Sequence, residues 1–461
     1  MRLSESIDKI GYFWLPSTPD TKVSGRLNIS KSGQITLDVT GLLEPLASMF
    51  QTQRQSKHLN GILENGKAIT LEKCHYKNQT LQVIAKSTVS SLRAYIGTNY
   101  NDCDEVSFSK VSFSLEGLDQ WLSIRGINVK YASNPEIDIT FTPPPPILIK
   151  LADDLNLEFS FTWTGPSPYS ITDAQVTQSA YVSLLCATPK PFSYFATLLP
   201  KILNFFCFSI DESIQLTSLT GYSNNILTTL PGGKSRPVPI EIFFSGFNSD
   251  KPAPKISKHN MLLSYGDIAP ELQRLLTNWL ANYEISEPAF NLYFAAKADA
   301  HAYLDGRFLS FAQGIETLHR RNSTDTTMSH EEFQALIKTL STACPSEKRQ
   351  WLSQKLHYAN ELPLRERLNQ ILEPFQQYFG NQDACKAFIA KVINTRNYLT
   401  HYDPELSTST ASPQTLWELC MKLEALFQLH FLRLMGFNIE EIKRILKDNV
   451  AFQNKLKGNS V

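Results

Sequence analysis

The stretch FIAKVINTRNYLTHYDPE, residues 388–405, reads as the end of an amphipathic helix with polar chemistry on its outer face. Phe388, Val392 and Leu399, with Ile389 and Ile393 beside them, recur at helical spacing and would face the core of a bundle. Pro404 pushes Asp403 out of helical geometry and marks the stop. Arg396, Asn397 and His401 come just as this apolar helix runs out. Asn397 and His401 share a face of an ideal helix, whereas Arg396 and His401 point about 140° apart. The reach of an arginine, and a last turn distorted ahead of Pro404, would still let guanidinium, amide and imidazole meet one substrate at the helix end.

Working outward, everything from about residue 267 has a helical texture. Asp267 and Pro270 open one helix, and Leu304, Phe308, Phe311, Ile315 and Leu318 form a core stripe on the next. Ser329 to Glu332 is a capping-box pattern, Ser346 and Pro363 suit helix starts, and Ser412-Pro413 opens a helix that Gly436 closes. The joining loops are short, as in an antiparallel bundle.

The region before about 265 is strand-rich. Residues 25–41 alternate around Ser32-Gly33 as a hairpin would, and 105–118 alternates with a slip at Lys110 that suggests a bulge. Residues 155–165 alternate through Leu155, Leu157, Phe159, Phe161 and Trp163. Pro143 to Pro146 form a stiff connector, which sets a subdomain boundary. The expected architecture is therefore α+β and multidomain: a sandwich-like β-rich region over 1–146, a mainly β subdomain over 147–265, and an all-helical domain over 266–461. The glycine-rich loop at 231–239 lacks the spacing of a phosphate-binding loop and reads as a turn.

Composition narrows the function. Lysine plus arginine equals aspartate plus glutamate, 44 each, which argues against affinity drawn from a broad basic surface but leaves room for a local one. Seven dispersed cysteines without CxxC spacing suggest neither a zinc site nor a redox pair, and fit a reducing cytoplasm. Cys74-His75 and Cys103 are too sparse to hold a metal. The N-terminus lacks a signal-peptide core. Pro200 and Lys201 interrupt the most apolar run, 194–210, below the roughly 20 residues of a membrane span. The expectation is a cytoplasmic protein without cofactor or membrane contact.

Arginine, asparagine and histidine suit phosphodiester cleavage in RNA. A histidine with a pKa near ~6.5 can take the proton of a ribose 2′-hydroxyl or give one to the leaving 5′-oxygen. An arginine can grip the phosphate and offset charge that builds in the transition state. Asparagine can orient either. No metal is needed, and one histidine supplies half of an acid–base pair, so a two-fold partner would complete the site. Spacing alone is weak: Arg396 pairing with an acid and His401 meeting a helix dipole would give the same pattern.

Context strengthens it. RNYLTH at the end of a helix resembles the R-x4-6-H signature of HEPN domains, polar residue included. RFLSFAQGIETLHRR (307–321) and FIAKVINTRNYLTHYD (388–403) resemble the Apea-like HEPN domain. At the front, residues 11–30, 61–74 and 113–122 resemble the ApeA N-terminal domain. The resemblance implies an anti-phage, abortive-infection factor whose HEPN domain is a dimeric, metal-independent endoribonuclease acting on RNA, with tRNA among the candidates. It implies catalytic roles for Arg396, Asn397 and His401, and an N-terminal region that senses a phage-derived trigger or gates the nuclease. Glu316 and His319 are candidates for lining the same site, Glu316 by holding Arg396 or His401; the bland alternative is an i,i+4 pair with Arg320. Tyr398 and Tyr402 could stack on a base or simply pack. Tyr12, Phe13 and Trp14 read as core. The competing function is a HEPN module that binds RNA or protein, or only dimerises, and catalyses nothing.

Overall fold

The computed structural model describes residues 6–44, 55–80, 83–101, 104–131, 136–229, 232–245, 252–298 and 303–458. It divides into two units, Met1–Lys258 with Leu263–Gln273, and His259–Leu262 with Arg274–Val461.

The first unit is built on one antiparallel sheet. Strands β1 (Ile7–Trp14), β2 (Val23–Ile29), β3 (Ile35–Thr40), β4 (Gln55–Leu63), β5 (Ala68–Thr80) and β6 (Lys86–Ile96) follow the order β6-β3-β2-β1-β4-β5. β5 then returns to β6, with Leu71 opposite Ala94, so the sheet closes like a barrel. The strand-rich front thus appears with barrel-like closure where the sequence suggested a sandwich. The closure depends on β6: Lys86–Ser91 pair with β3, while Arg93–Ile96 continue past its end.

The free length of β6 carries the rest of the sheet. It runs through β16 (Ile240–Phe244), β13 (Leu216–Tyr222), β7 (Ser107–Leu115), β12 (Thr177–Pro191) and β11 (Leu155–Thr164) to β10 (Ile147–Ala152). Two small hairpins, β8 (Ile127–Tyr131) with β9 (Ile137–Phe141) and β14 (Leu227–Thr229) with β15 (Ser235–Pro237), stand outside it. The Pro143–Pro146 connector does join β9 to β10, but β10 to β12 pair back into the main sheet through β7. The subdomain boundary placed at 146/147 is therefore not a break between compact units; the division comes near residues 258–274.

Local patterns explain most strands. The hairpin turn falls at Ser30–Gln34, with Gly33 at φ 81° and Ile29 opposite Ile35. The irregularity near Lys110 lies on the partner: Lys110 faces Leu185 and Phe108 faces Lys190, so β12 carries the extra residues. Of Tyr12, Phe13 and Trp14, only Phe13 is core, because neighbours on a strand alternate faces. Its ring fills the space left by Gly61 directly opposite, where a Cβ would come within 2.5 Å of it. Cys74 is buried and His75 exposed by the same alternation, so they cannot share a ligand; Cys103 lies outside the described residues.

Helices α1 (Leu118–Leu122), α2 (Phe192–Ile210) and the short α3 (Tyr265–Ile268) complete this unit. Trp121 is fully buried, its indole N–H donating to the Leu263 carbonyl at 2.8 Å. α2 runs unbroken through Pro200, unlike the interruption expected, because Phe195, Leu199, Ile202 and Phe206 bury one continuous face. It is the one helix among the described residues long and apolar enough to cross a membrane, and over half of it is buried in the protein.

The second unit is helical: α4 (Leu272–Ile285), α5 (Glu287–Lys297), α6 (Leu304–Asn322), α7 (His330–Ala343), α8 (Arg349–Leu356), α9 (Leu364–Leu372), α10 (Gln376–Phe379), α11 (Gln382–His401), α12 (Pro413–Met435), α13 (Ile439–Leu446) and α14 (Val450–Lys457). The Ser329–Glu332 capping box, the Ser412 N-cap and the left-handed Gly436 C-cap form as expected. Ser346 instead begins a 3-10 turn, and α8 starts at Arg349. The core is aromatic: Phe290 stacks on Phe431 at 4.3 Å, and Tyr293, Phe311 and Phe427 pack around them. Gly314 lets α6 approach α12, since a Cβ there would lie 2.8 Å from the Phe427 ring. α6 in turn packs against α9 and α11, which places three helices around the motif at the end of α11.

Candidate functional site

α11 begins at Asn381, whose side chain accepts from the Ala384 N–H, and buries Cys385, Phe388, Ile389, Val392 and Thr395. Leu399 and Ile393 are only half-buried, so the motif emerges from the core as the stripe ends. The helix stays regular through His401. The break comes at Tyr402, which adopts the left-handed conformation (φ 51°) and returns its N–H to the Tyr398 carbonyl. Asp403 is extended ahead of Pro404 and caps the next turn by accepting from the Glu405 N–H. The distortion expected around His401 is thus confined to the residue after it.

The chain that follows is lashed back onto the helix. Thr395 accepts from the Ala411 N–H at 3.1 Å, and Lys391 donates to the carbonyls of Ser409 and Thr410. These ties hold residues 409–411 against α11 at Lys391 and Thr395, one to three turns before the exposed His401.

Arg396 and Asn397 are half-buried and bonded to each other, Arg396 Nη1 donating to Asn397 Oδ1 at 3.2 Å. Arg396 Nη2 also stands 4.0 Å from Glu316 Oε2 on α6. The other Glu316 oxygen takes two bonds from Arg320, at 3.0 and 3.1 Å. Glu316 thus makes the close i,i+4 pair with Arg320 and also comes within ion-pair distance of Arg396. Arg320 continues to Glu361, which also faces Arg367 at 3.6 Å. Burial works against the charge of Arg320, but the bonds to Glu361 and Glu316 leave its pKa raised. Three guanidinium groups against two carboxylates leave this network one positive charge in excess.

His319 lies at the inner end. It is buried, its Nε2 2.6 Å from Gln370 Oε1, and its Nδ1 3.3 Å from Arg367 Nη1. Since a guanidinium only donates, Nδ1 accepts and Nε2–H donates, which requires the neutral imidazole. Burial lowers its pKa, and the Arg367 charge adds to that against the Gln370 bond. With both nitrogens engaged, His319 is placed to support Arg367 rather than to meet a substrate. Tyr402 is well exposed, its ring edge-on to Tyr398 at 5.8 Å, so it is not core. Glu361, Arg367 and Gln370 were missed in the sequence because they come from the α8–α9 loop and α9, and only the fold brings them to α6. Among the described residues, no group of three His, Cys, Asp or Glu side chains is placed to hold a metal.

Two family models match this chain. Residues 8–279, more than half of its length, match ApeA N-terminal domain 1. The chain belongs to the ApeA family. Residues 309–441 match the Apea-like HEPN domain and contain every candidate residue of α6 and α11, with Tyr402 just after α11. The helical unit is the HEPN part of the protein, and the two matches together make it a HEPN-type defence protein. No curated protein and no solved structure matches the chain.

Proposed function

We propose that the chain is a metal-independent endoribonuclease of an abortive-infection defence, acting in the cytoplasm as a homodimer through its HEPN unit. The observation that carries this reading is the end of α11: an exposed imidazole at His401, and one and a half turns before it an arginine bonded to Asn397, at ion-pair distance from Glu316 and still partly open to solvent, which a substrate spanning the helix end would reach together. Arg396 would take the phosphate oxygens, Asn397 would keep the guanidinium turned to them, and His401 would move the proton. In one direction it takes the proton of the 2′-hydroxyl as that oxygen attacks phosphorus; in the other it protonates the departing 5′-oxygen. A second copy of the site supplies the complementary transfer. The exposed Tyr402 ring would stack on a neighbouring base. The N-terminal unit would sense a phage-derived trigger and restrain the nuclease until infection.

The test is a gel of total RNA and tRNA incubated with the purified protein in EDTA. Discrete fragments that survive chelation support the reading. RNA left intact even with infected-cell extract would leave a binding or dimerisation module.

Glu316 has its own test. Glu316→Gln keeps the shape but releases Arg396, so kcat should fall roughly tenfold, as for residues that orient a functional group. The exposed pair with Arg320 is worth only about 0.2–0.5 kcal/mol, so the melting temperature should hold. Unchanged kcat would reduce Glu316 to a surface pair.

A further inference from the structure

A second feature of the helical unit lies away from α11's motif. An open cleft of about 580 Å³ is formed where α10 meets α13 and α14, lined by Tyr378, Glu440, Lys443, Arg444, Lys447 and Gln453 among others. Lys443 is paired with Glu440 at 2.7 Å. Arg444 and Lys447 are exposed and have no ion pair among the described residues. The lining therefore carries two uncompensated positive charges in a chain whose net charge is zero.

Tyr378 and Gln453 also line the cleft. The Tyr378 ring is held edge-on to Phe452 at 5.9 Å, and its hydroxyl is closed off from solvent beside the Gln377 side chain. Burial pushes that phenol above its ordinary pKa, with Gln377 working the other way, so it remains a donor. Gln453 spends its amide N–H on the Leu446 carbonyl at 3.1 Å, which fixes its side chain at the rim.

We propose that this cleft binds the phosphates of an RNA strand as a non-catalytic contact. Arg444 and Lys447 neutralise backbone charge. Free nucleotides share that chemistry, but small ligands are usually enclosed over most of their surface, whereas this cleft is open. Tyr378 precedes the first residue of α11 by four positions, and α11 has 20 residues, so the cleft and His401 are set about 30 Å apart by the helix rise. The substrate would then be an RNA long or folded enough to cover both, not a short fragment. The proposal rests on the reading of the chain as a protein that acts on RNA, but it needs no cleavage to be tested.

The experiment measures binding of a fluorescein-labelled single-stranded RNA of about 20 nucleotides to the full chain, with His401→Ala present throughout to prevent cleavage. Arg444→Glu with Lys447→Glu should weaken binding at least tenfold and flatten the dependence on salt by a slope of about 1.4, two phosphate contacts at roughly 0.7 each. Tyr378→Phe keeps the ring and removes only the enclosed hydroxyl, so it should leave RNA affinity unchanged. Unchanged affinity and slope in the charge-reversed variant overturn the proposal. So does ATP or AMP binding lost in that variant while RNA affinity stays the same, which would assign the cleft to a free nucleotide. Binding that follows the cleft in a protein that never cleaves would sink the nuclease and leave this site standing.

Discussion

His401→Ala is expected to lower RNA cleavage by 10²- to 10⁴-fold, the usual worth of a positioned acid or base (about two to four orders of magnitude). The fold should barely notice. The imidazole is exposed and makes no hydrogen bond among the described residues, so the loss is limited to a cation at a helix C-terminus, about 0.3–1 kcal/mol when protonated. Arg396→Ala should cost a similar factor, and the double substitution little more than either alone, because groups that act on one transition state are not additive. Arg396→Lys keeps the charge but loses the planar fork, so it should recover only part of the rate. If the two proton transfers are shared between copies, inactive His401→Ala subunits added in excess should poison wild-type protein by forming mixed dimers. Wild-type cleavage by His401→Ala would remove the histidine from the chemistry. Lost cleavage with lost folding or dimerisation would instead make it structural, which a melting curve and sedimentation measured beside the gel would separate.

How far the sequence leads to this site depends on the range of the contacts involved. Arg396, Asn397 and His401 were legible because they share one helix, and helical spacing with a terminal proline is a local signal. Glu316 was legible as an i,i+4 partner of Arg320, again within one helix. The rest of the network was not: the His319–Arg367 contact spans 48 positions and the Arg320–Glu361 contact 41, and nothing in spacing links them. The same division holds in the sheet. Each hairpin follows from alternation and turn residues, whereas the barrel-like closure follows from β5 returning to β6, whose other edge serves β3 and then β16. Tyr402 shows a further limit. A left-handed tyrosine costs roughly 1 kcal/mol or more and is not foreshadowed by residue type. It is tolerated here because it ends α11 without a glycine and swings the chain to Asp403 and Pro404.

Glu424→Gln should destabilise the helical unit by about 3–5 kcal/mol, the usual cost of removing one member of a buried ion cluster. Glu424 is 2% exposed and meets Lys455 at 2.8 Å, Lys297 at 3.0 Å and Arg307 at 3.1 Å. Arg307 also lies over the Trp417 ring at 5.3 Å, so its position is fixed by packing as well as charge. Burial alone would raise the Glu424 pKa, but the three cations outweigh it and hold the carboxyl well below the usual range. Because the folded value is depressed, the stabilisation is complete above the unfolded value of about 4.3 and is lost progressively as pH falls below it. The gap in melting temperature between wild type and Glu424→Gln, on the order of 6–20 °C at neutral pH for a unit of this size, should therefore narrow as pH drops below about 4. A constant gap would mean that the glutamine fails by packing, and a gap under about 2 °C would mean that the cluster contributes no stability. The cluster matters to the site through α6, which carries both Arg307 and Glu316. Losing the anchor near the start of that helix should loosen the hold on Arg396, so cleavage by Glu424→Gln should fall faster with temperature than its folded fraction does.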